Sequence, residues 1–263
     1  YKVLVRILEE VKPNVILHLA ADGTLPTVQK DIDRIIATNF IGSVNLLRAA
    51  DNVNYSSFIN FGSSSEYGVK SVPMIESDVV EPMSVYGATK ASSTLFFQTW
   101  ARISGKPIMT VRPFSVYGYF EEPIRLIPTT IWHCLSNKGL ELSNGAKSMD
   151  FIFVEDVTEA CMRLIATPCL GGEIINLGTG EAHSVRKVVD KIVTMTNSDI
   201  RLRWGKLPPR AYTPDVWVSN PAKMEKLLKW KPQHNLECGL KKTINWMKDN
   251  IAFYEPKGRR IMR

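Results

Sequence analysis

The first half of the chain alternates short apolar runs with longer amphipathic stretches. Val15–Leu19, Phe58–Phe61 and Ile108–Arg112 are compact apolar runs, each flanked by Pro, Gly, Asn or Ser, and they predict strands. Between them, Arg34–Ala50 carries Ile36, Phe40, Val44, Leu47 and Ala50 at helical spacing. The stretch around Ala88–Ala101 and the opening residues Tyr1–Glu10 also predict helices. From about Pro123 the pattern loosens. Phe151–Val154 and Glu173–Leu177 predict strands, and Val185–Thr196, Asn220–Lys229 and Cys238–Asp249 predict helices. Strand–helix alternation predicts an α/β fold with a doubly wound parallel sheet, its strands covered on both faces. The looser half predicts a second, smaller α/β lobe. The division expected is 1–122 and 123–263, with segments such as 151–180 returning to the main sheet.

One spacing carries chemistry. Tyr86 and Lys90, in Ser84-Val-Tyr-Gly-Ala-Thr-Lys90, lie four apart at the start of a predicted helix, so they share a face. A free tyrosine titrates near ~10, and a nearby cation lowers that value by roughly 1–3 units. Such a pair suits proton transfer to or from an alcohol. Upstream, Phe58-Ile-Asn-Phe-Gly-Ser-Ser-Ser-Glu-Tyr-Gly68 is a strand breaking into a Ser/Gly turn, which places hydroxyls opposite the Tyr/Lys helix.

Composition narrows the field. The 263 residues are 44% hydrophobic and carry a net charge of +7, with the basic residues spread out apart from Lys257, Arg259, Arg260 and Arg263 in the tail. No aromatic–basic platform is visible, so nucleic acid is not an expected partner. No run approaches the ~20 apolar residues of a membrane span, so no membrane association is expected. No leader pattern opens the sequence, and a cytoplasmic protein is expected. Cys134, Cys161, Cys169 and Cys238 lack the spacing of a metal knuckle, so reduced thiols and no metal are expected.

Pro13-Asn-Val-Ile-Leu-His-Leu-Ala-Ala21, the serine turn, Tyr86/Lys90, Val111-Arg-Pro-Phe-Ser-Val-Tyr-Gly118, Met149-Asp-Phe-Ile-Phe-Val-Glu-Asp156 and Ile174-Ile-Asn-Leu-Gly-Thr-Gly180 follow one another in a fixed order. In that order they resemble the extended short-chain dehydrogenase/reductase family, in particular its nucleotide-sugar epimerases, dehydratases and 4-ketoreductases. The resemblance implies a Rossmann-like sheet, NAD or NADP as cofactor, a nucleotide-diphosphate sugar as substrate, and a homodimer built on helices such as Arg34–Ala50 and Ala88–Ala101. It also implies that the family's glycine-rich turn, with about sixty residues and three strands, lies outside this sequence, together with the residue that selects NAD or NADP.

Carried over position by position, Tyr86 is the catalytic acid or base and Lys90 its partner, with Lys90 also on the nicotinamide ribose. The catalytic serine is Ser64 if the turn is aligned from the strand, which is preferred, or Ser63 if aligned from Tyr67-Gly68. Ser63, Ser64 and Ser65 are candidate sugar contacts. Glu66 is either the acid/base of a dehydratase or a structural residue of the turn. Leu19, Ala20, Ala21, Asn39, Pro113 and Phe114 match cofactor contacts. Ser115 stands where relatives carry a sugar-binding asparagine, and Met149 replaces a diphosphate-binding arginine. Arg125 and Arg210 are the candidates to compensate. His18 is expected to be a core histidine.

Overall fold

The computed structural model describes residues 1–23, 31–168, 171–208 and 215–255. Its main sheet contains β1 (Val15–His18), β2 (Ser57–Phe61), β3 (Ile108–Pro113) and β7 (Glu173–Leu177), all parallel, in the order β1–β2–β3–β7. The register pairs Ile16 with Phe58, Ile59 with Met109 and Val111 with Ile175. β2 and β3 are buried almost end to end, as their unbroken apolar runs require in a sheet covered on both sides.

One face packs Ile16, Phe58 and Ile108 against α3 (Gly42–Ala50) and α4 (Val85–Ser104), through Leu47, Ala50, Phe97 and Ala101. The other packs Ile59, Met109, Val111, Ile175 and Leu177 against α6 (Val154–Ala166) and α8 (Ala222–Leu228). Helix α1 (Lys2–Val11) turns Leu4, Val5 and Leu8 toward the first of these clusters. The outer edge of β1 pairs with no described strand, and Leu17 there is 43% exposed.

The second lobe is built on β6 (Ser148–Phe153), flanked by β4 (Ser115–Tyr117), β10 (Val216–Trp217) and the antiparallel β8 (Ala182–Ser184). Helices α5 (Leu126–Leu135), α7 (Val185–Thr196) and α9 (Leu236–Asp249) close its core around Ile131, Val188, Ile192, Leu240 and Met247. The short strands β5 (Leu140–Glu141) and β9 (Leu202–Arg203) pair beside it.

Several boundaries differ from the expected ones. The strand expected at Phe151–Val154 starts at Ser148, and Val154 already belongs to α6. Of the segment 151–180, β7 joins the main sheet while β6 is the centre of the second. The helix expected over Arg34–Ala50 is interrupted: α2 (Ile32–Ile36) passes into a π-helical turn, Ala37–Ile41, before α3. Helix α9 begins two residues early because the Asn235 side chain accepts a hydrogen bond from the Cys238 amide, 2.9 Å, and caps it.

Candidate active site

The serine turn follows β2 directly. Ser63 Oγ accepts from the Ser65 amide at 3.1 Å, and Glu66 Oε1 accepts from the Ser63 amide at 2.8 Å. This reciprocal cap closes one short 3-10 turn, Ser64–Glu66, and fixes the backbone of Ser63. The hydroxyl that hydrogen-bonds Tyr86 is that of Ser63. The preferred candidate, Ser64, lies one residue further into the turn, where its carbonyl accepts from the Tyr67 amide. Of the two serines, Ser63 is the one placed against the Tyr86 phenol.

Helix α4 brings the other partners. The Ser84 side chain caps it through the Gly87 amide, 3.0 Å. Tyr86, Lys90 and Thr94 then recur every four residues on the face turned to the serine turn. Lys90 is buried, and no described hydrogen bond uses its ammonium. Burial lowers its pKa to about 8, against a smaller opposing pull from Glu66. Burial also pushes the Tyr86 phenol up; the Ser63 hydrogen bond and the charge of Arg125 pull it down, and Glu66 pushes it up further. The expected depression of Tyr86 by Lys90 is therefore not what this pocket produces: desolvation outweighs the charges.

Glu66 is fully buried. Besides Ser63, its Oε1 accepts from Thr94 Oγ1 at 2.9 Å, and its Oε2 accepts from Arg112 Nε at 2.7 Å. Arg112 in turn lies 4.5 Å above the centre of the Tyr67 ring, and Tyr67 donates to Asn176 Oδ1 at 2.6 Å. Sequence reasoning gave Arg112 no role. The available signal was a charge in an otherwise apolar strand, which demands a buried partner.

The remaining candidates divide. Asn39 sits in the π-helical turn, buried, donating to the Asp22 carbonyl and Thr89 Oγ1 and accepting from the Asp22 amide, so it ties the segment after β1 to α4. Leu19, Ala20 and Ala21 follow β1 and are exposed at its carboxyl end. Pro113 ends β3, and Phe114 is packed with Tyr67, Met74 and Trp217. Ser115 opens β4, paired with Phe151. Arg125 precedes α5, near enough to act on Tyr86. Arg210 lies outside the described residues. Asn220, just ahead of α8, accepts from the Ala222 amide at 3.0 Å through its side-chain oxygen. His18 is a core histidine, stacked on Phe97 and bonded to Ser43.

Comparison with known proteins agrees with this fold. Residues 1–178 match the model of the NAD dependent epimerase/dehydratase family. Among curated relatives, the UDP-glucuronate 4-epimerase of Thermodesulfobacterium geofontis is 28% identical over 257 residues, covering 95% of this chain and 77% of that protein. The dTDP-glucose 4,6-dehydratase 1 of Escherichia coli is 26% identical, covering 96% and 77%. Among solved structures, the Bacillus cereus UDP-glucuronic acid 4-epimerase in complex with UDP-glucuronic acid and NAD superposes with a TM-score of 0.86 at 26% identity, covering 94% of this chain and 78% of that one. The chain belongs to the NAD dependent epimerase/dehydratase family. By class it is an NAD(P)-dependent nucleotide-sugar epimerase/dehydratase.

Proposed function

We propose that Tyr86 exchanges a proton with the C4 hydroxyl of a nucleotide-diphosphate sugar, with Ser63 holding the same oxygen, so that the sugar passes through a 4-keto intermediate. The observation that carries this is the Ser63–Tyr86 hydrogen bond, with the buried Lys90 one turn further along α4.

An ammonium that is buried yet used by no described hydrogen bond fits the hydroxyls of a nicotinamide ribose. Lys90 would hold that ribose, with Leu19, Ala20 and Ala21 along the dinucleotide, Asn39 behind it, and Pro113 and Phe114 beside the ring. A bound nicotinamide would supply reversible hydride exchange at C4. The protein's own part is to bind, to exclude water and to move the hydroxyl proton at the Tyr86 oxygen. Arg125 lies close enough to Tyr86 to contact the substrate's diphosphate. Arg210 is proposed for the same task, and Ser64, Ser65 and Ser115 line the sugar side. Residues 1–122 then serve the cofactor and 123–263 mainly the substrate.

Both oxygens of Glu66 are occupied, so the turn supplies no free carboxylate to eliminate water. This favours epimerisation over dehydration. A second reading, reduction of a 4-keto sugar with Tyr86 as acid, is favoured by the shortened Ser63-Ser-Ser-Glu-Tyr-Gly68 turn. The unpaired thiols of Cys134, Cys161 and Cys238 suit the cytoplasm. Exposed Ile41 and Leu95, in the two helical segments expected at a subunit interface, support a homodimer.

The test is incubation of the purified protein with NAD and, separately, UDP-glucuronic acid, UDP-glucose and dTDP-glucose, followed by proton NMR. A C4 epimer is the expected product. A 4-keto-6-deoxy product would replace epimerisation by dehydration. Oxidation of NADPH with a 4-keto sugar, and no epimer from any substrate, would establish the reductase reading. Failure of every substrate to react would contradict the proposal.

A further inference from the structure

Glu66 and Arg112 form an ion pair in which both side chains are almost without solvent contact, 2% and less. Taking two charges out of water costs several kcal/mol each before their attraction is counted, so such a pair calls for a physical explanation. Its geometry offers one. Glu66 Oε1 accepts at once from the Ser63 amide, in the serine turn, and from Thr94 Oγ1, on α4. One carboxylate oxygen thus bolts the residue that faces Tyr86 to the helix that carries Tyr86 and Lys90. Two such bonds on one oxygen favour an ionised acceptor, which accepts more strongly than a neutral one.

We infer that Arg112 is a positioning residue for proton transfer: it keeps Glu66 an ionised, doubly accepting bracket that sets the Ser63 hydroxyl against Tyr86. The inference rests on the reading of Tyr86 and Ser63 given above.

The fold around the pair is shaped for it. A Cβ on Gly62 would lie 2.5 Å from Glu66 Oε1 and 3.0 Å from Thr94 Oγ1, so no side chain fits where the bracket closes. Arg112 is held from the far side by the face of Tyr67, which is anchored through Asn176 to the Met74 carbonyl, 2.9 Å. The charged and titratable groups facing Glu66 are Arg112 from β3, Tyr86 and Lys90 from α4, and Tyr67 next in the turn. Burial raises the Glu66 pKa even with Arg112 in place, and the charge of Arg112 is the largest influence opposing that rise. Without it the carboxyl takes up a proton. The protonated oxygen that then lies on the bracket either donates or accepts less strongly, and the Ser63 amide loses its fixed partner.

The experiment compares Arg112→Met with the double variant Glu66→Gln/Arg112→Met. Glutamine keeps an oxygen that can accept both bonds and carries no charge to neutralise. Arg112→Met is expected to lose about ten- to hundred-fold in kcat with KM little changed, since a small misplacement of reacting groups costs that much. Its kcat profile is also expected to gain an ionisation on the acid side, absent from the wild type and from the double variant. The double variant is expected to recover most of the lost kcat. Thr94→Val, which removes one donor with no change of charge, is expected to lose a few-fold in kcat and gives the same information should Arg112→Met not fold.

Wild-type kcat and pH profile in a folded Arg112→Met, or wild-type kcat in Thr94→Val, would overturn the inference. A double variant no faster than the single one would do the same. Tyr86→Phe is run alongside. If it stays active, the reading of the site itself has failed; if it is inactive while Arg112→Met behaves as wild type, only the role of Arg112 has.

Discussion

Gly87 approaches the serine turn so closely that a Cβ on it would stand 2.6 Å from the Ser65 carbonyl oxygen. That oxygen is backbone and has no side-chain freedom to yield. The missing side chain is what lets the first turn of α4 bring Tyr86 up to Ser63. Ordinarily, alanine in place of a helical glycine gains about 0.5–1 kcal/mol. Here Gly87→Ala is expected to lose that gain to the clash and to lower kcat by about ten-fold or more through displaced reactants. Kinetics and a thermal melt of the one variant check both parts.

Ser63→Ala and Ser64→Ala separate the two serines. Ser63→Ala removes the hydroxyl that pairs with Tyr86, and a loss of about 10²-fold in kcat is expected. Ser64→Ala leaves that pair intact, and an effect below about ten-fold is expected on the same scale. Parallel kcat measurements decide the assignment.

Lys90 exposes a trade between stability and activity. Its folded pKa of about 8 lies below its ordinary value of 10.5, so between those values the unfolded chain holds a proton that the folded chain has released. Stability from this group therefore rises with pH from about 8 to 10.5, and below 8 the buried charge is a full burden. Lys90→Met is expected to melt higher than the wild type at pH 7, with no turnover. The margin is expected to shrink as pH rises through that window, and melts across the range test it.

His18 has an effect of the same sign at lower pH. Ser43 donates its hydroxyl to the Asn39 carbonyl, so His18 Nε2 must donate to Ser43 Oγ, 2.7 Å away. Burial, and secondarily the charge of Lys90, lower its pKa from 6.5 to about 4. The unfolded chain then binds the extra proton between those values, and stability falls as pH drops through them. Roughly 2 kcal/mol is expected to be lost between pH 7 and 5 through this group. Denaturant unfolding of the wild type against His18→Phe measures that share.

Much of this arrangement was legible in the sequence because burial on both faces leaves a strong mark. β2 and β3 sit within a residue of their apolar runs, and Val185–Thr196 is bounded by Ser184, which caps it, and Asn197, which takes the left-handed turn. The start of α6 was hidden for the converse reason: Phe153 offers no side-chain cap, so the apolar run passes from strand into helix unmarked. The π-helical turn at Ala37–Ile41 left no trace, since one extra residue in a turn barely disturbs the apolar spacing. In the site, the Tyr86–Lys90 spacing is local and could be read directly. The Ser63 partner could not, because a turn one residue short slides either serine into register. The Glu66–Arg112 pair joins residues far apart in the sequence, and only the pairing of β2 with β3 brings them together.

The central claim is that Tyr86 carries the proton. It is tested most directly by Tyr86→Phe, assayed with NAD and a nucleotide sugar the wild type converts, beside binding of that sugar measured by calorimetry. The account predicts turnover lower by at least about 10³-fold with binding within a few-fold of the wild type. Turnover near the wild-type rate in a folded Tyr86→Phe would contradict it.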